Sequence, residues 1–310
     1  MVGKYRDLHR LLLWRQLGGG WQPQSAFASP EQPLHLEIVF VNGEYLLRQA
    51  LQRPQHNFLG LELHWGSVRR CLRRLAHSQV NNVRLLQADA RMALSRLLPD
   101  SCAESFVALF PCPWPKREHE RYRLFSRAFM AHLNRVCRGG GLVVTDHKGL
   151  VEFALAQVEG SGLSLSVVEV EANYDTKYER RWIGQGQQWF YELHYRPVGP
   201  SGVVKMAEVA GNTLTCQQFD PTGAHLQGSH HEVVVEFRNQ VYDSERKIWM
   251  VLTTVVEDDL TQSFWIEAAL SAEDGLWHIR PALGGGYLPT VGVQKALSLV
   301  QQSGQQVETR

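Results

Sequence analysis

Apolar and polar positions follow two rhythms along this chain. Short apolar runs of strand length alternate with helix-period segments from residue 34 to residue 196. Strands are expected at Leu34–Phe40, Phe58–Leu63, Val83–Gln87, Ser105–Phe110, Gly141–Asp146, Leu163–Glu169 and Gln188–Tyr195. Helices are expected between them at Glu44–Arg53, Gly66–His77, Ala90–Leu98, Arg121–Val136 and Leu150–Glu159. That alternation implies βαβ units, hence an α/β fold with a mostly parallel sheet covered on both faces. The last two strands have no expected helix between them, so one of them is expected to run antiparallel. Residues 1–33 read as an irregular arm with one helix around Asp7–Gln16.

The rhythm changes after the linker Arg196-Pro-Val-Gly-Pro-Ser-Gly202. Val203–Val209, Thr213–Phe219, His231–Val241, Trp249–Val256, Ser263–Ala269 and Leu276–Ile279 read as strands, and Val291–Gln301 as a closing helix. His231–Val241 alternates apolar and polar residues, as a half-exposed antiparallel strand does. The expected organisation is an arm at 1–33, an α/β domain at 34–198 and a small α+β domain with an antiparallel sheet at 203–310. Trp249, Trp265 and Trp277 are expected in the core of that last domain. Leu283-Gly-Gly-Gly-Tyr287 reads there as a turn and not a phosphate loop.

Charge separates the two parts. Residues 1–200 carry 25 Lys+Arg against 18 Asp+Glu, and residues 201–310 carry 7 against 13. A basic first domain suits a polyanionic partner. The five cysteines include no CxxC pair, which argues against a disulfide framework and a structural zinc site. His64, His147 and the His230-His231 pair lack ligand spacing, so no metal is expected. No apolar run reaches spanning length and no signal-peptide core is evident, so no membrane partner and a cytoplasmic location are expected.

Three stretches carry the candidate chemistry. The first is Leu36-Glu-Ile-Val-Phe-Val-Asn-Gly43, at a strand-to-helix turn. A turn that cradles a nucleotide-like cofactor places glycines at alternate positions after the acidic residue. Aligned on Glu37, those positions hold Val39, Val41 and Gly43. Glu62, 19 positions after Gly43, stands where a carboxylate binds ribose hydroxyls, and Asp89 closes the next strand, placed to reach an adenine amino group. Glu37, Glu62 and Asp89 thus end successive strands, although each would equally serve as a cap for the helix that follows. The second stretch is Phe110-Pro-Cys-Pro-Trp-Pro-Lys116, a stiff segment followed by Lys116-Arg-Glu-His-Glu-Arg-Tyr-Arg123 and Arg127. This basic patch with an aromatic inside it would position an RNA through its phosphates. Arg69, Arg70, Arg73 and Arg74 fall at helical spacing and read as a solvated face that would extend the same surface. The third is Tyr174-Asp-Thr-Lys-Tyr-Glu-Arg-Arg-Trp182, read as a loop whose Glu179 suits the donor edge of guanine.

Together these stretches resemble the bacterial tRNA (guanine-46-N7)-methyltransferase family, the TrmB type, over about Leu34 to Arg196. The resemblance rests on LEI…G at 36–43, GLELH at 60–64, QADA at 87–90, FPCPWPK at 110–116, TD at 145–146 and DTKYERRW at 175–182. It implies a Rossmann-like class I methyltransferase sheet that uses S-adenosylmethionine to methylate N7 of a guanine in the tRNA variable loop. It implies cofactor contacts at Glu37, Gly43, Glu62 and Asp89. Substrate contacts are implied at Lys116, Arg117, Asp146, Thr176, Lys177, Glu179 and Arg180, and the catalytic positions are Cys112 and Asp146. No metal is implied, and the expected partner is tRNA, with the protein a monomer or homodimer. The C-terminal domain is expected as an extension found in a subset of the family.

Two departures accompany the resemblance. Val39 and Val41 stand where the family has glycine, and Cys112 stands where it has aspartate. Overpacking costs about 1–3 kcal/mol per site, so cofactor binding is expected to weaken by factors of about 10 to 10⁴. N7 of guanine already carries a lone pair and loses no proton on attack, so the reaction needs alignment more than a general base. Two other readings compete. One is a tRNA-binding relative with a closed cofactor pocket. The other is a cytosine-C5 enzyme with Cys112 as nucleophile.

Overall fold

The computed structural model describes residues 7–17, 20–206, 209 and 213–305. The chain divides into two compact units, Met1–Met206 and Ala207–Arg310. The first unit is built on an eight-stranded sheet of β1 (Leu11–Leu12), β2 (Leu34–Ile38), β3 (Asn57–Glu62), β4 (Val83–Gln87), β5 (Ser105–Leu109), β6 (Gly141–Thr145), β7 (Leu163–Glu171) and β8 (Trp189–Pro197). Their spatial order is β1-β4-β3-β2-β5-β6-β8-β7. The first six pair in parallel, and β8 is antiparallel to both β6 and β7. The order reverses between β2 and β5, which is where ligands settle in such sheets, at the carboxyl ends of the strands.

The central strands are apolar on both sides because both faces are covered. All six residues of β3 are buried, as are Leu34, Leu36, Glu37 and Ile38 of β2. Helix α1 (Glu44–Gln52) sets Leu46 and Ala50 against Phe40 and Phe58. The next helix, α2 (Trp65–Ala76), buries Val68, Cys71, Leu72 and Leu75 at i, i+3, i+4 and i+7, leaving Arg69, Arg70, Arg73 and Arg74 on its exposed face. Then come α3 (Ala90–Met92), continued by a π turn at Ala93–Leu97, α4 (Arg127–Val136), α5 (Lys148–Gln157) and α6 (Lys177–Ile183).

Four sequence expectations are corrected here. The helix expected at Asp7–Gln16 is two 3-10 turns around β1, because Leu11 and Leu12 extend the sheet by pairing with Leu85 and Leu86. The helix expected from Arg121 begins at Arg127, where Ser126 accepts from the Phe129 amide and caps it. The stretch before it, Arg117–Tyr122, is 3-10 helix. The 174–182 segment is a loop only at its start. Thr176 accepts from the Glu179 amide and launches α6, so a helix does stand between β7 and β8.

The second unit is a six-stranded antiparallel sheet of β9 (Leu214–Cys216), β10 (Ser229–His230), β11 (Val234–Asp243), β12 (Ile248–Glu257), β13 (Leu260–Leu270) and β14 (Trp277–Pro281), in the order β10-β11-β12-β13-β14-β9. One face buries Trp249, Val251, Phe264 and Ile266 against Val293, Ala296, Leu297 and Val300 of α7 (Val291–Gln305). Trp249 and Trp277 are core residues; Trp265 is not, because it pairs with Leu252 on the other face and stays half-buried. Residues 203–206 form no strand, and the remainder of the strand expected at Val203–Val209 lies largely outside the described residues.

Candidate functional site

The turn after β2 keeps a glycine backbone without the glycines. Val39, Val41 and Gly43 all take left-handed conformations, with φ of 59°, 55° and 72°. The left-handed region costs an L-residue about 1–2 kcal/mol, and a β-branched side chain suits it least. Neighbouring strands hold the turn in place. The Val39 amide donates to the Leu61 carbonyl at 2.8 Å, and the Val41 amide donates to Glu62 Oε2 at 3.1 Å. Glu62 is 4% exposed, and its Oε1 accepts from the His64 amide at 2.9 Å. Gly43 is required for packing: a β-carbon there would lie 2.2 Å from Cys71 Sγ.

Beyond this turn a cavity of about 330 Å³ opens at the carboxyl ends of β3, β4 and β5. That volume falls in the usual range for small-ligand sites. Val39, Glu62, Asp89, Cys112, Trp114 and Tyr122 are among its walls. Asp89 lines it while capping α3, its Oδ1 accepting from the Arg91 amide at 2.7 Å, so the capping and lining readings hold together. Arg91 and Leu124 also line it, and no motif had singled them out.

The proline segment forms the outer wall. Phe110 and Trp114 are left-handed as well, with φ of 53° and 44°. Buried Arg123 fixes the segment by donating to the carbonyls of Pro113 at 3.0 Å and Trp114 at 3.3 Å. Arg123 therefore braces the wall and does not belong to an RNA-facing patch. Lys116, Arg117, Arg121 and Arg127 are exposed, and Lys116 stands 3.8 Å from Glu118. Cys112 is an exposed free thiol.

The segment 173–182 folds back over the turn. Glu179, 1% exposed, accepts from the amides of Asn173 at 2.8 Å and Tyr174 at 3.0 Å. Thr176 and Lys177 meet Val39, Val41 and Tyr45 around a second space of only about 20 Å³. Val39 lines both spaces. Arg180 is engaged within the protein, at 2.6 Å from Asp175 and 2.8 Å from Glu44, and Glu44 also holds Arg74 at 2.6 Å. Tyr174 donates to Glu192 at 2.5 Å and its carbonyl accepts from Arg48. Burial, then that bond, pushes the phenol far above its ordinary range. Asp146 follows β6 half-buried, beside the turn in which Thr145 accepts from the His147 amide.

Glu37 stands on the Thr176 side of the turn. It does not line the larger cavity but the smaller space, together with Val41, Tyr45, Thr176 and Lys177; it is 4% exposed, and its Oε2 has no hydrogen-bond partner among the described residues. Burial raises its pKa well above the carboxylate range, against the opposing pull of Arg48. At the other end of β2, His35 bonds Ser105 at 2.8 Å and His56 at 2.7 Å. Burial first, then the charges of Arg53 and His56, lower its pKa to about 4.

A parallel sheet with one antiparallel strand, β8, inserted before its edge strand β7, and an acid-lined cavity over its switch point, is the arrangement of a Rossmann-like class I methyltransferase domain. Comparison with known proteins agrees. A family model described as "Putative methyltransferase" matches residues 31–192, and the chain belongs to that family. A tRNA (guanine-N(7)-)-methyltransferase of Thermus thermophilus is 32% identical, the match covering 81% of this chain and 83% of that protein. Its namesake in Deinococcus radiodurans is 31% identical over 88% of this chain and 89% of its own length. A third, from Chlorobium phaeobacteroides, is 36% identical over 52% of this chain and 79% of its own. Because the first unit ends at Met206, the first two matches run into the second unit as well. Among solved structures, the 16S rRNA methyltransferase KamB is 17% identical, with a TM-score of 0.42 over 55% of this chain and 89% of that one.

Proposed function

We propose that this protein is a tRNA (guanine-N7)-methyltransferase that takes its methyl group from S-adenosylmethionine. The observation that carries the reading is the joining of Glu62, Asp89 and Cys112, from three separate strand ends, around one open cavity beside Lys116 and Arg117. Relatives that share most of this chain's length bear the name of that enzyme, which favours catalysis over mere tRNA binding. No helix among the described residues is long and apolar enough to cross a membrane.

The residues present fit such a cofactor. Asp89 stands where a carboxylate would accept from an adenine amino group. Glu62 keeps lone pairs for ribose hydroxyls after accepting two amides. Trp114 offers a ring to a base across the cavity, steadied by Tyr122 at 5.3 Å and His119 at 5.7 Å between centroids. When bound, the cofactor supplies a methyl group activated on a sulfonium. N7 of guanine brings its own lone pair, so the protein has to position two partners and exclude water rather than remove a proton. Lys116 and Arg117 hold tRNA phosphates, and Arg69 and Arg73 on the exposed face of α2 extend that surface. Thr176 and Glu179 hold the start of α6 in shape and so support Lys177 as a contact to the substrate guanine, with Asp146 after β6 as a second contact. The valines narrow the turn side of the site and weaken cofactor binding relative to a glycine turn.

Methylation of an unmodified tRNA transcript, followed by nucleoside mass spectrometry, tests the reading. The expected product is N7-methylguanosine in the variable loop, absent when the guanine there is replaced. Methylation of another base or atom would overturn it.

A further inference from the structure

The two valines divide the candidate cofactor site unequally. On the Asp89 side lies the cavity of about 330 Å³; on the Thr176 side the space is about 20 Å³, little more than one water occupies. Val39 is the wall common to both. The strand order fixes which half of the ligand meets which space. β4, β3 and β2 are neighbours in that order, so a nucleoside reading Asp89 and Glu62 occupies the open side. The rest of the cofactor then runs across the turn after β2, toward Thr176 and Lys177. There it meets Val39 and Val41, held in left-handed backbone that a glycine would adopt freely.

We infer that this is a nucleoside-weighted site, in which Val39 and Val41 suppress the contribution of the cofactor's amino-acid half. The adenosine half supplies most of the affinity. The amino-acid half is accommodated only when the segment Asn173–Tyr178 moves off the turn. The inference rests on the methyltransferase reading above, and it goes beyond it by assigning the two valines control over which part of the ligand is bound.

Two readouts test it without any turnover. The first is calorimetric titration of the wild-type protein, V39G/V41G and V39A/V41A with adenosine and with S-adenosylhomocysteine, which cannot react. Wild type is expected to bind the two ligands within about tenfold of each other, and V39G/V41G to favour S-adenosylhomocysteine by at least about tenfold more than wild type does. V39A/V41A, which removes bulk but keeps a β-carbon, is expected to fall between them. The second readout is the thermal midpoint of the unliganded protein. Glycine ordinarily destabilises, yet V39G and V41G are expected to match or exceed wild type because each relieves left-handed strain. The inference is overturned by a wild-type preference for S-adenosylhomocysteine beyond about tenfold, or by a double variant whose preference stays within about tenfold of wild type's. It is equally overturned by wild type binding neither ligand, or by lowered midpoints in both single glycine variants. Methyl transfer to tRNA at saturating cofactor, run in parallel, reports on the enzyme reading separately: product with the wrong affinity pattern sinks only the inference.

Discussion

Glu62 Oε2 accepts the amide of Val41 at 3.1 Å, so the residue expected to touch the ribose is also the residue that shapes the cofactor turn. The same carboxylate accepts the His64 amide at 2.9 Å, at the start of α2. One buried acid thus ties together the ends of two strands and the base of a helix. Glu62→Gln leaves one of these amides facing an N–H. Unpaired buried donors cost about 1–3 kcal/mol, and denaturant unfolding is expected to show a loss of that size, together with at least about tenfold weaker cofactor binding. Wild-type stability in this variant would contradict the bracing role.

Glu179 and Thr176 do comparable work at the start of α6. Thr176→Val removes the cap on the Glu179 amide and is expected to cost about 1 kcal/mol in denaturant unfolding. Glu179→Ala strips the partner from the Asn173 and Tyr174 amides and so loosens the segment over the turn; it is expected to raise KM for tRNA without weakening cofactor affinity. Equal loss of both affinities would show that the segment supports the whole site and not the guanine side alone.

Cys112 is exposed, so replacing it perturbs little: Cys112→Asp is expected to stay within about 0.5 kcal/mol of wild-type stability. The variant restores the aspartate implied by the family resemblance at the edge of the cavity. Single-turnover methylation is expected to speed up, with KM for tRNA unchanged. A slower variant would mean that the thiol suits this site better than a carboxylate does.

His35 makes stability depend on pH in a defined window. Its pKa is about 4 in the folded protein and close to 6.5 when unfolded. The unfolded chain therefore binds the extra proton first as pH falls. This contribution to stability is complete above about pH 6.5, declines from there down to about pH 4, and then levels off. His35→Gln is expected to flatten that part of the stability profile. An unchanged slope would place the dependence on other groups.

Most of the fold was legible because βαβ alternation repeats a strong signal. Residues such as Leu59, Leu61, Leu85 and Leu86 could only be strands covered on both sides. The helix at Lys177–Ile183 was harder to see: its short, charged sequence lacks an apolar stripe, and only the capping Thr176 announces it. The strand in the arm is not legible because Leu11 and Leu12 carry no local strand signal and gain their partners from Leu85 and Leu86. In the site, Glu62 and Asp89 were visible from strand-end spacing. The inward aim of Arg123 was not, since its role depends on carbonyls of Pro113 and Trp114 freed by the stiff proline segment. Glu37 shows the opposite limit. Its motif position suggests a cofactor contact, and the side chain does line the space between the turn and Thr176, but its burial, which pushes its pKa up, is not legible in the sequence.

The site geometry sets the cofactor over the carboxyl ends of β2, β3 and β4, and a crystal structure with S-adenosylhomocysteine tests that most directly. It predicts the adenine within hydrogen-bond reach of Asp89, the ribose at Glu62, and Asn173–Tyr178 displaced from the turn relative to the unliganded protein. A ligand bound elsewhere on the sheet, or one seated with its adenine beside Thr176, would contradict it.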